Sequence, residues 1–580
     1  MRFVSSLALI GVHSLLLLTT GCSSCSSDKS KTAGWPDAPA TAAAVSASLL
    51  EQMPASTRWA LVIPNAAAFT KGFGGIRGAL SAAIPGFRVM DQDFKNTIGA
   101  DLGDAASLAK WGIPETSGVA FSQMGTANLA MLWVTDGDKF TTEVERVLTH
   151  QPYNYVANPQ PATVGGMTFK TYTTKAPETR QAYINIDKGL VRIIVCPTTN
   201  SCEAAMAAEL AATARHAAAD PLVAKVLEEA KGESVFGWYD VSDRKDGTPP
   251  PDFGIFKQQM EPIVKSGGLV GASARLAKEG VDLRVTMAPK DAAAAKPMLS
   301  PPANAVAPGF SRLFKEDAYA FVRITTQFSD LLSTIRSSTG AAEKAELEKA
   351  IAEADTLVGA SIEKDLIPAL GSGGVLFTTR SKILSLGSAK SAADFASALG
   401  AVAAWQVKDR AKLEPLFDKA VTLLEGKATK FSEGGATVLQ FADSQMDPGN
   451  IVLTDSLLLL VPDRDRAAVL ANLSAATPSA GAPPAEAAKL LDEASANGLY
   501  LNIGKIASGP IGQIFGGRLP PEVQTGLSML DTLTVRTRYG KETFGADIHL
   551  GLLQQAAAPT PAPDASGSPA PEASGAPKAP

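Results

Sequence analysis

The sequence predicts an α+β protein built as two similar tandem halves, each a largely antiparallel sheet carrying amphipathic helices, followed by a disordered C-terminal tail. Three observations predict it. Short apolar, β-rich runs follow turn signals: Leu190–Val195 after Asp187-Lys188-Gly189, and Ser456–Val461 after Asp455-Ser456. Such pairs read as hairpins. Between them lie helical patterns. In "AAEKAELEKAIAEADTLVG", Leu347, Ile351 and Leu357 recur near helical spacing and charges fill the rest. Hairpins mixed with helices fit α+β with antiparallel sheets. The third observation is an ordered internal repeat.

The repeat runs in one order through both halves. "RWALVIPNAAAF" from Arg58 matches "AYAFVRITTQF" from Ala318, and "SGVAF" at Ser117 matches "GGVLF" at Gly373. "LWVTDGDKF" around Trp133 matches "AWQVKDRAKL" around Trp405, which sets the two tryptophans at matching positions, as core residues. "GGMTFKTY" at Gly165 matches "GGATVLQF" at Gly434, and "AYINIDKGLVRIIV" from Ala182 matches "NIVLTDSLLLLV" from Asn450. "SVFGWYDVS" from Ser234 matches "GLYLNIGK" from Gly498, and "GVDLRVTMA" at Gly280 matches "GADIHLGL" at Gly545. The last two strands of each half form a hairpin, turning at Lys278-Glu279-Gly280 and at Tyr539-Gly540-Lys541, and Val281, Leu283 and Val285 alternate as one buried face. "APKDAAAAKPMLSPPANAVAPG" supplies a Pro/Ala-rich joint. The organisation expected is a signal peptide over 1–21, a flexible tether over 22–52, one α+β repeat over 53–289, a linker over 290–312, a second repeat over 313–553 and a tail over 554–580. The tail, "AAAPTPAPDASGSPAPEASGAPKAP", lacks core-forming residues.

The N-terminus reads as an export signal. Arg2 supplies positive charge, and Leu7 to Leu18 form an apolar run shorter than the roughly 20 residues a bilayer-spanning helix needs. Leu18-Thr19-Thr20-Gly21-Cys22 then resembles the lipobox of bacterial lipoproteins. Thr19 stands where that pattern usually has leucine. The resemblance implies cleavage before Cys22 and acylation of its thiol. Two or more acyl chains hold a protein at a membrane stably, at about 0.8 kcal/mol per buried methylene. Ser23 follows the cysteine; an Asp there favours inner-membrane retention in such lipoproteins, so the resemblance implies the outer membrane, on the periplasmic or the surface side.

Four cysteines are present. Cys25 falls in the tether. Cys196 and Cys202 bracket "PTTNS" at the end of an apolar strand, a spacing that fits a loop-closing disulfide in an exported chain better than a redox pair. The pI near 5.7 and net charge of −5 leave no basic footprint for nucleic acid.

Candidate chemistry is sparse. "KGFGGIRG" at Lys71 fails both the phosphate-loop and the dinucleotide patterns, because Arg77 stands where the third glycine belongs; a helix is expected there. Its counterpart, "DLLSTIRS" with Arg336, has no glycine. Of four histidines, His13 leaves with the signal, and His150, His216 and His549 form no zinc pair. Ser361-Ile-Glu-Lys364 fits Ser-x-x-Lys but lacks the further motifs of penicillin-binding enzymes. Asp136 with Asp138, and Asp240, Asp243 and Asp246, do not fit an EF-hand and read as turn carboxylates. The body also resembles secreted bacterial families of unknown function that place a Leu-Pro-Ala-Asp-Thr-like turn before an apolar strand, here Met53-Pro54-Ala55-Ser56-Thr57. No cofactor and no catalytic residue is expected. The leading reading is a non-catalytic envelope lipoprotein, membrane-attached through its lipid and offering a surface to an envelope protein. The alternatives are a carrier of a hydrophobic ligand held between the halves, and a hydrolase. Radiolabelled palmitate is expected to enter the protein and to vanish in Cys22→Ser; label that persists in the variant overturns the lipobox.

Overall fold

The computed structural model describes the chain from residue 42 to residue 553, apart from isolated positions and the segments 150–154, 175–179, 197–201, 212–216, 231–233, 242–267, 293–309, 314–317, most of 326–340, 379–400, 442–448, 476–484, 493–496 and 509–527. Cys22 and Cys25, His150 and His216, Asp243 and Asp246, and the tail over 554–580 therefore lie outside the described residues.

The class is α+β, with twenty strands in one sheet among the described residues. The first ten are β1 (Trp59–Ile63), β2 (Val119–Met124), β3 (Ala127–Trp133), β4 (Gln160–Val164), β5 (Met167–Thr173), β6 (Gln181–Asp187), β7 (Leu190–Cys196), β8 (Val235–Asp240), β9 (Gly268–Ala277) and β10 (Gly280–Pro289). The second ten are β11 (Ala320–Ile324), β12 (Leu370–Thr378), β13 (Ala401–Val407), β14 (Ala428–Glu433), β15 (Ala436–Phe441), β16 (Asn450–Leu453), β17 (Leu457–Val461), β18 (Gly498–Asn502), β19 (Leu530–Tyr539) and β20 (Phe544–Leu552). Every pairing is antiparallel. In the first half the neighbours run β4-β5-β6-β7-β3-β2-β1-β8-β9-β10. β10 pairs with β20, and the second half then runs β20-β19-β18-β11-β12-β13-β17-β16-β15-β14. Counted outward from the β10–β20 seam, the two halves have the same strand order.

Local turn chemistry explains the hairpins. β4 and β5 turn through Gly165-Gly166 at φ 58° and 80°, and β14 and β15 through Gly434-Gly435 at φ 57° and 82°. Only glycine adopts two such residues in succession cheaply, so both hairpins take the same primed turn. β9 and β10 close at Ala277 opposite Gly280, and β19 and β20 close where the Gly540 amide donates to the Thr543 carbonyl at 2.7 Å.

Helices lie on both faces of the sheet. One row across its upper face reads Phe236, Ser273, Arg284, Asp547, Arg536, Gly498, Arg323 and Val375. On this face the helices Ala42–Glu51, Cys202–Ala211 and Pro221–Glu229 pack over the first half, and Asp463–Ser474 and Ala485–Asp492 over the second. Arg323, 1% exposed, ties Ala485–Asp492 to β11, donating from Nη1 to the Leu490 and Leu491 carbonyls at 2.8 Å. Buried carbonyls at a helix C-terminus need such donors. The lower face carries Ala66–Ala83, Phe87–Ile98 and Gly137–Thr149 over the first half and Arg410–Leu423 over the second.

Three expectations need correction. The tether does not extend to residue 52: Ala42–Glu51 is helical, with Leu49 and Leu50 buried beneath the first half. Its alanine- and serine-rich composition resembles a spacer, but two adjacent leucines and Met53 suffice to dock it. The linker ends before 312, because Phe310 and Leu313 enter the core of the second half. Trp133 and Trp405 do not match. Trp133 follows the upper-face residue Met131, whereas Trp405 lies across Gly374 on the lower face. The aligned sequences were one residue out of register there, and a one-residue slip moves a side chain to the other face. Val281, Leu283 and Val285 do share one face, but they are only half-buried.

The glycines of "KGFGGIRG" sit inside the helix Ala66–Ala83. A Cβ on Gly72 would come within 2.5 Å of the Leu276 carbonyl oxygen on β9, so this glycine sets the helix-to-sheet distance, whereas Gly78 has open space around it. Gly72→Ala is expected to lower the unfolding free energy by about 1–3 kcal/mol through overpacking. Gly78→Ala should raise it by up to about 1 kcal/mol through helix propensity. Urea unfolding of both variants checks the pair.

Candidate functional site

The polar residues singled out by sequence are distributed through the fold, and each described one is engaged in local structure. Cys196 and Cys202 are joined in a disulfide with Cα atoms 6.0 Å apart, clamping β7 to the helix that begins at Cys202, and both are buried. Arg77 bonds Asp91, and Asp101 at 2.7 Å, so it fastens Ala66–Ala83 to the next helix and loop. Arg336 likewise bonds Glu348 at 2.6 Å and also Glu363. The Ser361 hydroxyl accepts from the Lys364 amide at 3.3 Å, and the Ser361 amide donates to Asp365 at 2.8 Å. The Ser-x-x-Lys motif is thus a helix cap. Asp136 caps Gly137–Thr149 by accepting from the Lys139 amide at 3.0 Å, and that bond holds its carboxyl below the usual range. The Asp240 amide donates to the Arg58 carbonyl at 2.7 Å beside the first strand. Among the described residues no three His, Cys, Asp or Glu side chains gather at one point, and no helix is long and apolar enough to cross a membrane.

Burial accounts for the other perturbed groups. It pushes the Tyr172 and Tyr183 hydroxyls well up, aided by hydrogen bonds to Glu145 and Glu203, and it pushes the buried Arg192 guanidinium down. Arg192 bonds Asn185 at 3.1 Å and, just past the helix Ala42–Glu51, Gln52 at 2.6 Å. These groups anchor side chains to the sheet and have no converging nucleophile beside them.

The most exposed stretch of the sheet among the described residues is apolar. One row across the lower face runs Ala274, Leu283, Ile548, Val535, Leu499, Val322, Leu376, Ala403, Leu460, Ile451 and Leu439. No polar residue interrupts it. Within it Val322, Leu376 and Leu460 are 41%, 43% and 42% exposed, and Ile324 beside Val322 is 39% exposed. Trp405 lies over Gly374 at the edge of this cluster, its indole donating to the Gly371 carbonyl at 2.9 Å. The corresponding lower-face positions of the first half are Leu61, Ile63, Phe121, Leu132 and Ile193. All but the partly buried Leu61 are deeply buried, and all pack under Phe69, Phe73, Phe87 and Phe94 of two helices. Like residues therefore occupy like positions in the two halves, roofed in one and exposed in the other. Together the four exposed side chains offer roughly 300 Å² of apolar surface, the lower end of the size of the largest apolar patch on a typical monomer.

Sequence reading missed this stripe. Its only signal was that β17 is apolar on both faces, which the run "SLLLLV" shows and alternation does not.

The seam holds one more cluster. His549 Nδ1 lies 2.6 Å from Asp282 Oδ1, and Arg275 bonds the same carboxylate at 2.5 Å. The hydrogen bond from His549 is the largest influence and, with Arg275, brings Asp282 down to about 2 despite its partial burial. The carboxylate is depressed in the folded state, so its stabilisation is complete above pH ~4 and is lost as pH falls toward 2. The gap in urea midpoint between wild type and Asp282→Asn should close as pH falls from about 4 to 2. A gap independent of pH would contradict the assignment.

No protein-family model, curated protein or solved structure matches this chain.

Proposed function

We propose that the chain is a non-catalytic cell-envelope lipoprotein with a duplicated α+β body, and that the stripe around Val322, Ile324, Leu376 and Leu460 is its binding surface for an envelope protein. The observation that carries the reading is the exposure of these four side chains at positions whose counterparts in the first half are covered by helices. Covering roughly 300 Å² at about 25 cal/mol per Å² offers about 7 kcal/mol before the costs of association. The stripe is open along the sheet and not enclosed, which fits the apolar face of a protein partner better than a small ligand held in a cavity. The lipobox-like N-terminus supports an envelope address. The engagement of Arg77, Arg336, Ser361 and Asp136 in caps and ion pairs supports a non-catalytic role.

A photo-crosslinking residue placed at Leu376 in cells tests this. Val89, 64% exposed on a first-half helix, serves as the control. Adducts with a second protein at 376 and none at 89 are expected. Adducts confined to the chain itself would mean that the stripe is roofed internally, and lipid adducts alone would favour the carrier; either refutes the proposal.

A further inference from the structure

The helix Pro221–Glu229 belongs to the first half by sequence, between β7 and β8, yet its last turn reaches the second half. Its start is fixed to the first half. The Ala217 amide donates to the Met53 carbonyl at 3.0 Å, and the Asp220 amide to the Ala217 carbonyl at 3.1 Å. Asp220 then caps the helix, its carboxylate accepting from the Leu222 amide at 2.7 Å, and Pro221 suits the first turn. Val226 packs onto β9 at Gly271, where a Cβ would meet Val226 Cγ1 at 2.0 Å.

The far end crosses the β10–β20 seam. Lys225 bonds Glu542 at 2.5 Å, just ahead of β20, and Glu229 bonds Arg538 on β19. Arg538 also donates from Nη2 to Thr286 Oγ1 on β10 at 2.8 Å. Arg284 on β10 donates from Nη1 to the Glu229 carbonyl and from Nε to Asp547 on β20, both at 2.9 Å. A carbonyl at a helix C-terminus needs such a donor, and a cation there suits the helix dipole. One guanidinium from each half thus joins the helix end to the strands beneath it.

Burial at the seam is one-sided. Thr286 and Ala288, 3% and 0% exposed, lie on the helix side of β10, and Ala288 shares a core with Val223 and Val226. On the lower face Val281, Leu283 and Val285 of β10 and Ile548 and Leu550 of β20 are only half-buried. The second-half helix that precedes β18, Ala485–Asp492, is tied instead to Arg323 and Ser311 of its own half.

We propose that Pro221–Glu229 is a clasp on the β10–β20 seam: the helix and the strand pair open as one unit, and the two halves part only when the helix lifts. Arg284 and Arg538 each bond the helix and, across the seam, the opposite half. Drawing β20 away from β10 with the helix in place breaks one set of these bonds and strands polar groups beneath the helix. A buried polar group without its partner costs more than the same group in water. Lifting the helix first admits water to all of them. Parts of a fold that share contacts in this way open as cooperative units smaller than the whole.

Hydrogen exchange of the intact chain tests the clasp. Asp220→Ala removes the cap at the opposite end of the helix from Glu229 and leaves every seam residue in place. The helix amides and the β10 and β20 amides are expected to exchange faster by one common factor, roughly fivefold for a lost N-cap. The β2 and β3 amides are expected to keep their wild-type rates. Faster exchange in the helix with unchanged rates in β10 and β20 overturns the proposal. Equal acceleration in β2 and β3 also overturns it, because the opening is then that of the whole fold. Should Asp220→Ala leave the helix amides unchanged, Val226→Ala withdraws the side chain seated on Gly271 and makes the same comparison. Unchanged β10 and β20 rates in both variants again overturn the proposal.

Discussion

The antiparallel pairing of β10 with β20 is the constraint on which the rest of the structure depends. It joins two ten-stranded runs into one sheet and occupies the edges that each run would otherwise leave open in the middle of the molecule. Long unpaired edges template association with other chains. The outermost strands handle the same hazard by composition. β4 carries Pro161, which cannot donate to a further strand, and β14 presents Lys430 and Glu433. The seam instead pairs its two edges with each other. It has charged pairs on its upper face and aliphatic pairs on its lower face, and Pro221–Glu229 reaches from the first half onto residues of the second.

The halves share strand order and differ in cover. In the first half, two helices rich in phenylalanine follow β1 directly and bury Ile63, Phe121 and Leu132 to 3% exposure or less. In the second half, Arg410–Leu423 covers only the outer strands of the same face, with Leu413 and Phe417 turned inward. Sheet residues and helix cover are therefore separable features. The strands keep an apolar lower face in both halves, and the exposed stretch around Leu376 is where the two halves part.

How much of this was legible in the sequence follows from the range of the interactions. Hairpins were legible because their turns are local: Gly165-Gly166, Gly434-Gly435 and Lys188-Gly189 need backbone conformations that only a few residues supply. The helix at Ala341–Val358 was legible through Leu347 and Ile351. The Cys196–Cys202 bridge followed from its short span. Register was not legible. Sliding β3 against β13 by one residue keeps apolar against apolar and even matches Trp133 to Trp405, yet it places them on opposite faces, because the strand period is two. The union of two sheets into one was not legible either, since it depends on strands far apart in sequence. The stripe escaped for a related reason: an apolar residue is read as core wherever it stands, and its exposure is a property of the layer above it.

Motif fragments in this chain serve local structure. A chain with many strands and helices needs caps, turns and ion pairs at their ends, and the residues that serve these needs are Ser, Asp, Gly, Arg and Lys. Ser361, Asp136 and Gly72 each recreate part of a catalytic or phosphate-binding pattern, and each is accounted for by a helix end or a close helix–sheet approach. A catalytic centre would require several such groups to converge while remaining free of those duties. Among the described charged side chains, Arg284, Asp547, Arg536 and Arg538 converge at the β10–β20 seam and neutralise one another there. A group whose charge is committed to its neighbours has little left for a substrate.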